Sequence, residues 1–276
     1  MTVAPSESGR RESQRPSNVS DAFQASSDEA GLTATGDVTD NPFSSRMPAR
    51  MDHLKRFAAE LFGTFVLCTI AILAMAGTAQ GDAGRLVSAV GYGLGVLAGM
   101  HACGALGPVH LNPAVTLAIF ATGRGSIVRV LACVAGQLVG SCLAGLAVMW
   151  LLGGEGTAMG MPVGSFTKTD AVKTVVIEGL LTMVWSAVFL GCVFGGKLGQ
   201  TAPLPIGLAV VAAALAGLPY TGAAMNPARA LASAIAMLDF STLWMYAAGP
   251  LAGAAVAGLV ARVFLTEGSD AAARRG

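Results

Sequence analysis

The stretches HLNPAVTLA (110–118) and AMNPARALA (224–232) decide the fold of this 276-residue chain. Each carries Asn-Pro-Ala, at Asn112-Pro113-Ala114 and at Asn226-Pro227-Ala228, inside apolar sequence. Asn is a favoured N-cap and Pro is at home in the first helical position, so each copy opens a helix. A helix that begins inside a bilayer leaves unpaired N–H groups and a positive dipole end where no solvent should be. Irregular backbone at that depth is tolerated only where protein buries it or a water-filled cavity adjoins it. Two such starts in one small chain predict that both face the same cavity.

Composition places the chain in a membrane. It is 54% hydrophobic and 12% charged, with mean hydropathy +0.64, which is the profile of an integral membrane protein. The 36 glycines allow close approach of membrane helices. A net charge of +1 implies no polyanionic partner, and no nucleic-acid footprint is present. Cys68, Cys103, Cys133, Cys142 and Cys192 are scattered in apolar runs without zinc spacing, and read as small buried hydrophobes. No disulfide, metal or cofactor is expected.

Residues 1–50 are rich in Ser, Asp, Glu, Arg and Thr and read as a disordered tail without a secretory leader. Six apolar stretches follow, approximately 57–78, 86–104, 130–152, 174–196, 204–218 and 243–264. Each approaches the roughly 20 residues a spanning helix needs. Two shorter helical patterns begin at Pro113 and Pro227. The fold class is therefore an all-α membrane protein: six transmembrane helices plus two re-entrant half-helices, over residues 51–266, with a short tail at 267–276. The halves, about 54–153 and 171–266, repeat. Glu60 in AELFGTF (59–65) and Glu178 in IEGLLTM (177–183) precede their Asn-Pro-Ala by 52 and 48 residues. Three spans per half make the repeat inverted, with its special site at the repeat interface near the midplane. Arg46, Arg50, Lys55, Arg56, Arg124, Arg129, Lys197 and Arg262 fall on one side, against Arg85, Lys168 and Lys173 on the other, so both termini are predicted cytoplasmic.

The side chains suggest a passage. The oxygens of Asn112 and Asn226 cap their helices, which leaves the amides to point into the lumen as donors. Half-helices meeting head to head would repel cations and protons while a neutral dipolar molecule passes. Arg229, three residues past the second capping Asn, would add a fixed charge and a donor fork. Glu60 and Glu178 could relay protons, but their symmetric placement favours acceptors for the N–H groups of the re-entrant loops. His110 is expected to brace the first loop and to contribute to the pore wall; His101 reads as a satisfied core imidazole, with a gate as the alternative. The carbonyls of residues 107–110 and 222–225 are candidates for a ladder of acceptors.

AELFGTF, HLNPAVTLA, TGAAMNPARALA (221–232) and MYAAGPLAG (245–253) together resemble the aquaporin (major intrinsic protein) family, over about residues 54–266. The resemblance implies homotetramers with one pore per protomer and a selectivity filter of Tyr92, Ala214, Ala223 and Arg229. Strict water channels of that family usually place His where Ala214 stands, which implies a wider, less polar opening here. The glycerol-conducting branch typically has Asp after the Arg, where this chain has Ala230, so the subgroup markers disagree. The function implied is a passive channel in the cell (inner or plasma) membrane. Water is its first solute, and glycerol, urea and ammonia are further candidates; ions and protons are excluded. Its partners are small neutral solutes and the lipid bilayer. A secondary transporter built on inverted repeats is the alternative. An intramembrane enzyme lacks any HExxH or GxSxG support.

Overall fold

In lipid a backbone must satisfy its own hydrogen bonds, and among the described residues all regular structure is helical. The computed structural model describes residues 49–78, 81–153, 160–195 and 199–273. Residues 1–48 of the tail, with Arg46, and also Lys197 lie outside them; residues 49 and 50, assigned to the tail, begin the first helix. The helices are α1 (Ala49–Ala76), α2 (Asp82–Ala102), α3 (Pro113–Ala121), α4 (Ile127–Leu152), α5 (Ala171–Phe194), α6 (Pro203–Thr221), α7 (Pro227–Met237) and α8 (Met245–Ala273). Single 3₁₀ turns lie at Gly104–Leu106 and Gly199–Thr201.

Six of these helices, α1, α2, α4, α5, α6 and α8, are long and apolar enough to cross a membrane. The short fifth stretch gains a few residues at each end. Pro203 starts α6 in the first-turn position proline favours, and Gly222 closes it at φ 80°. The other two, α3 and α7, have 9 and 11 residues. At 1.5 Å per residue they reach about 14–16 Å, half of a hydrocarbon core about 30 Å thick.

Burial is inverted relative to a soluble protein. On α4, Leu131, Leu138 and Leu146 are exposed while Gln137 and Ser141 are fully buried. Apolar side chains thus face lipid and polar ones face the bundle. Glycine sets the helix spacing, and it does so twice. A Cβ on Gly136 or Gly140 of α4 would stand 2.4 Å from the Phe57 carbonyl oxygen or 2.2 Å from that of Leu61 on α1. In the second half, a Cβ on Gly249 or Gly253 of α8 would stand 2.5 Å from the Val175 oxygen or 1.9 Å from that of Gly179 on α5. Between the halves, Gly93 of α2 and Gly207 of α6 press on each other's carbonyls, with virtual Cβ···O distances of 2.5 and 2.8 Å. That reciprocity is what an inverted two-fold repeat demands.

Gly253→Ala should therefore split α5 from α8 and cost roughly 1–3 kcal/mol or more. Gly191→Ala, also on α5 but with nothing within 4 Å of its Cβ, should be neutral. Thermal stability by size exclusion in detergent checks the contrast; equal melting of the two variants would refute it.

Candidate functional site: the junction of two half-helices

Both half-helices start as the local chemistry requires. Asn112 (φ −156°, ψ 120°) and Asn226 (φ −152°, ψ 112°) are extended, and the following Pro takes the first turn. The Asn112 side-chain oxygen accepts the Ala114 N–H at 2.8 Å. That of Asn226 accepts the Ala228 N–H at 2.9 Å and the Arg229 N–H at 3.4 Å.

The amides do not both simply face a lumen, and here the sequence reading needs correction. Asn112 Nδ2 donates to the Met225 carbonyl at 2.9 Å, and Asn226 Nδ2 donates to the Leu111 carbonyl at 2.8 Å. Each tip is thus pinned to the residue preceding the other tip. Buried loop carbonyls need partners, and the opposing amide supplies one to each. Each amide retains a second N–H.

Leu111 (φ 56°) and Met225 (φ 51°) both occupy left-handed backbone, as does Ala223 (φ 47°). For residues with a β-carbon this costs about 1–3 kcal/mol each and persists only where the surroundings enforce it. The two carboxylates enforce it. Glu60 accepts the His110 N–H on Oε1 at 2.8 Å and the Leu111 N–H on Oε2 at 2.8 Å. Gln137 Nε2 donates to the same Oε2 at 2.9 Å. Glu178 accepts the Ala224 N–H at 3.0 Å and the Met225 N–H at 2.6 Å, with the Thr221 hydroxyl donating at 2.7 Å. His110 Nδ1 lies 3.1 Å from Thr116 Oγ1 and 3.6 Å from Glu60 Oε1. Gln137 and Thr221 were not singled out from sequence. Both were legible only as polar residues on apolar helices. The ligand atoms of Glu60, His110 and Cys133 lie within 4.8 Å of one another. Both Glu60 oxygens already accept hydrogen bonds from the loop, so the cluster works as a brace.

Tyr92, Ala214, Ala223 and Arg229 are all buried, none more than 2% exposed. Arg229 Cζ lies 5.6 Å from the Tyr92 ring centroid, and its Nη2 contacts the Met75 sulfur. Its Nε and Nη1 have no hydrogen-bond partner among the described residues. The Tyr92 hydroxyl donates to the Ala224 carbonyl at 2.6 Å. Of the carbonyls expected to form an acceptor ladder over residues 222–225, those of Ala224 and Met225 each accept one hydrogen bond from the protein and keep a second lone pair. Two further side chains reach this filter group. Met75 stands against Arg229, and Trp185 meets Tyr92 edge-on at 6.2 Å and 84°.

His101 is not a core residue. It is exposed, with Nδ1 3.0 Å from the Leu97 carbonyl. It lines a recess of ≈ 500 Å³ with Met100, Pro108, Val109 and Gln200, beside the loop leading to Asn112. All five cysteines are free, and four of them are buried.

Comparison with known proteins agrees with this architecture. The profile of the Major intrinsic protein family matches residues 47–261. The lens fiber major intrinsic protein of Gallus gallus is 34% identical over 227 residues, covering 79% of this chain and 84% of that protein. Aquaporin Z of Rhodopseudomonas palustris is 30% identical, covering 77% and 94%. Among solved structures, the aquaglyceroporin of Plasmodium falciparum has the same fold, with a TM-score of 0.64 at 20% identity over 76% of this chain and 96% of that one. With a family match across the whole helical region, the chain belongs to the major intrinsic protein family.

Proposed function

We propose that Asn112, Asn226 and Arg229 make the junction of the half-helices a path for neutral molecules and a barrier to cations and protons. The chain is a multi-pass membrane protein and a passive channel for water and small solutes. The reciprocal pinning of the two asparagine tips carries the finer reading. It holds two positive helix ends at one point, where a cation is repelled and a dipolar solute can present its oxygen. Arg229 supports the same reading. A buried guanidinium with two unpartnered N–H groups is costly unless passing molecules accept from them. Tyr92, Ala214 and Ala223 complete this filter. A coupled transporter would need free ionisable groups, but Glu60 and Glu178 each serve three donors as braces, with His110 part of the first brace. No catalytic step is required.

Water is the first solute of this reading, and glycerol, urea and ammonia follow. The orientation follows from Lys55, Arg56, Arg124, Arg129 and Arg262 against Arg85, Lys168 and Lys173, which favours cytoplasmic termini in a cell membrane. A homotetramer fits the broad apolar faces of the outer helices, where Leu131, Leu138 and Leu180 are exposed.

Proteoliposomes carrying the protein should shrink rapidly in an osmotic jump without a proton current; rates equal to empty vesicles would refute the reading. Arg229→Val should raise cation or proton leakage by an order of magnitude or more. A charge a few ångström away opposes a cation by about 2–4 kcal/mol at an effective dielectric of about 20. Water flow should remain substantial, and unchanged ion exclusion would show that the charge is not the barrier. Ala214→His should cut glycerol flux more than water flux; equal losses would remove Ala214 from the filter. Glu178→Gln turns an amide N–H toward a loop N–H, which leaves one donor unpaired at about 1–3 kcal/mol. Its melting point should fall by roughly 2–4 °C per kcal/mol, and an unshifted melt would show that the brace is dispensable.

A further inference from the structure

We propose that Trp185 is a second selectivity-determining residue, whose ring supplies the wall that Ala214 and Ala223 leave out and whose indole N–H donates to the passing molecule. The proposal rests on the channel reading above. Trp185 is 1% exposed, and its Nε1 is buried without a hydrogen-bond partner among the described residues. Buried indole N–H groups usually find a partner, and one without a protein partner points to a molecule that is not part of the fold.

Its place on α5 says where that molecule is. Glu178, Trp185 and Phe189 fall within about 40° of one another around the helix, so they share one stripe. The first of them holds the loop before Asn226. The last sets its ring edge-on to His110, two residues before Asn112, at 6.0 Å and 88°. Trp185 stands between these two anchoring points, about 10 Å along the axis from Glu178. It is also edge-on to Tyr92, whose hydroxyl and face touch the second loop and Arg229. This register places the indole at the level of the seam where the two loops meet.

The inverted repeat supplies an internal control. Seven residues after Glu60, the place matching Trp185 is Leu67, fully buried in the same apolar cluster. Packing at this register is met by an aliphatic side chain, so an indole with a free donor exceeds what packing asks for. Bulk at this level resists a three-carbon polyol, while the donor replaces one hydrogen bond of a water in file.

Wild type, Trp185→Phe, Trp185→Leu and Trp185→Ala would be reconstituted at quantified protein content. Water flux would be read by osmotic jump, glycerol flux by isotonic uptake, and proton current in parallel. Trp185→Leu and Trp185→Ala should raise the glycerol-to-water ratio about tenfold, the discrimination that a change of pocket bulk confers. Trp185→Phe keeps a flat ring, so it should leave glycerol slow and reduce water flux by about two- to tenfold, the worth of one net hydrogen bond. Proton exclusion should persist in all three, since Arg229 is intact. Ratios within twofold of wild type, with both fluxes falling together, would show a packing role and overturn the proposal. So would loss of folded channel in all three variants. A wild type that conducts neither solute would overturn the channel reading itself, whereas a conducting wild type with unmoved ratios overturns only this inference.

Discussion

The crossed pair of hydrogen bonds, Asn112 to the Met225 carbonyl and Asn226 to the Leu111 carbonyl, is the constraint on which the rest depends. Two helix N-termini placed tip to tip repel each other, and the carbonyls just before the tips belong to no helix that would satisfy them. The crossed amides answer both problems with the same atoms. Each asparagine uses its oxygen to close its own helix and its nitrogen to hold the other loop. Neither half can therefore adopt its final backbone without its counterpart. The left-handed residues Leu111 and Met225 express this dependence, since each presents its N–H to a carboxylate and its carbonyl to the opposing amide.

Buried carboxylates in membrane helices are expensive, and an unpartnered one would not be tolerated. Glu60 and Glu178 sit there because re-entrant loops lack the donors' usual partners: the two N–H groups ahead of each tip have no helix to join. Three donors on each acid satisfy it and fix the loop together. Glycine makes this possible from the outside. With Gly140 against Leu61 and Gly253 against Gly179, the helices carrying the acids pack backbone to backbone with the helix that follows or ends their half. A side chain at these contacts would shift the acids relative to the loops, so the spacing of lipid-facing helices and the geometry of the junction are one problem.

The parts legible in the sequence are those whose physics is local or symmetric. Asn-Pro is a helix start wherever it occurs, and six apolar runs and two acids at matching places need no tertiary knowledge. The parts that were not legible are set by what meets across the fold. Nothing in Leu111 or Met225 announces left-handed backbone, because Leu and Met do not favour it; the carboxylates impose it. The asparagine amides looked free because their acceptors lie more than a hundred residues away in the chain. Met75 and Trp185, which reach Arg229 and Tyr92 from α1 and α5, carry no local signal for that meeting. His101, read as core because of the apolar run around it, is exposed and lines a recess beside the loop leading to Asn112.

Symmetry also separates folding from selection. The caps, crossed amides, acid braces and glycine contacts all occur twice, once in each half, and each copy serves to hold a loop in lipid. The repeat is broken where the solute would be sorted. Arg229 follows the Ala of the second motif, but Val115 takes that place in the first, fully buried. Trp185 faces the junction on α5, but Leu67 takes that place on α1. A purely structural need would act on both halves alike, because both present the same backbone problem at the same depth. Residues with unpartnered donors that appear in one half only answer to something that the two halves do not share. In a passage running from one leaflet to the other, that something is the direction-dependent sequence of environments that a solute meets.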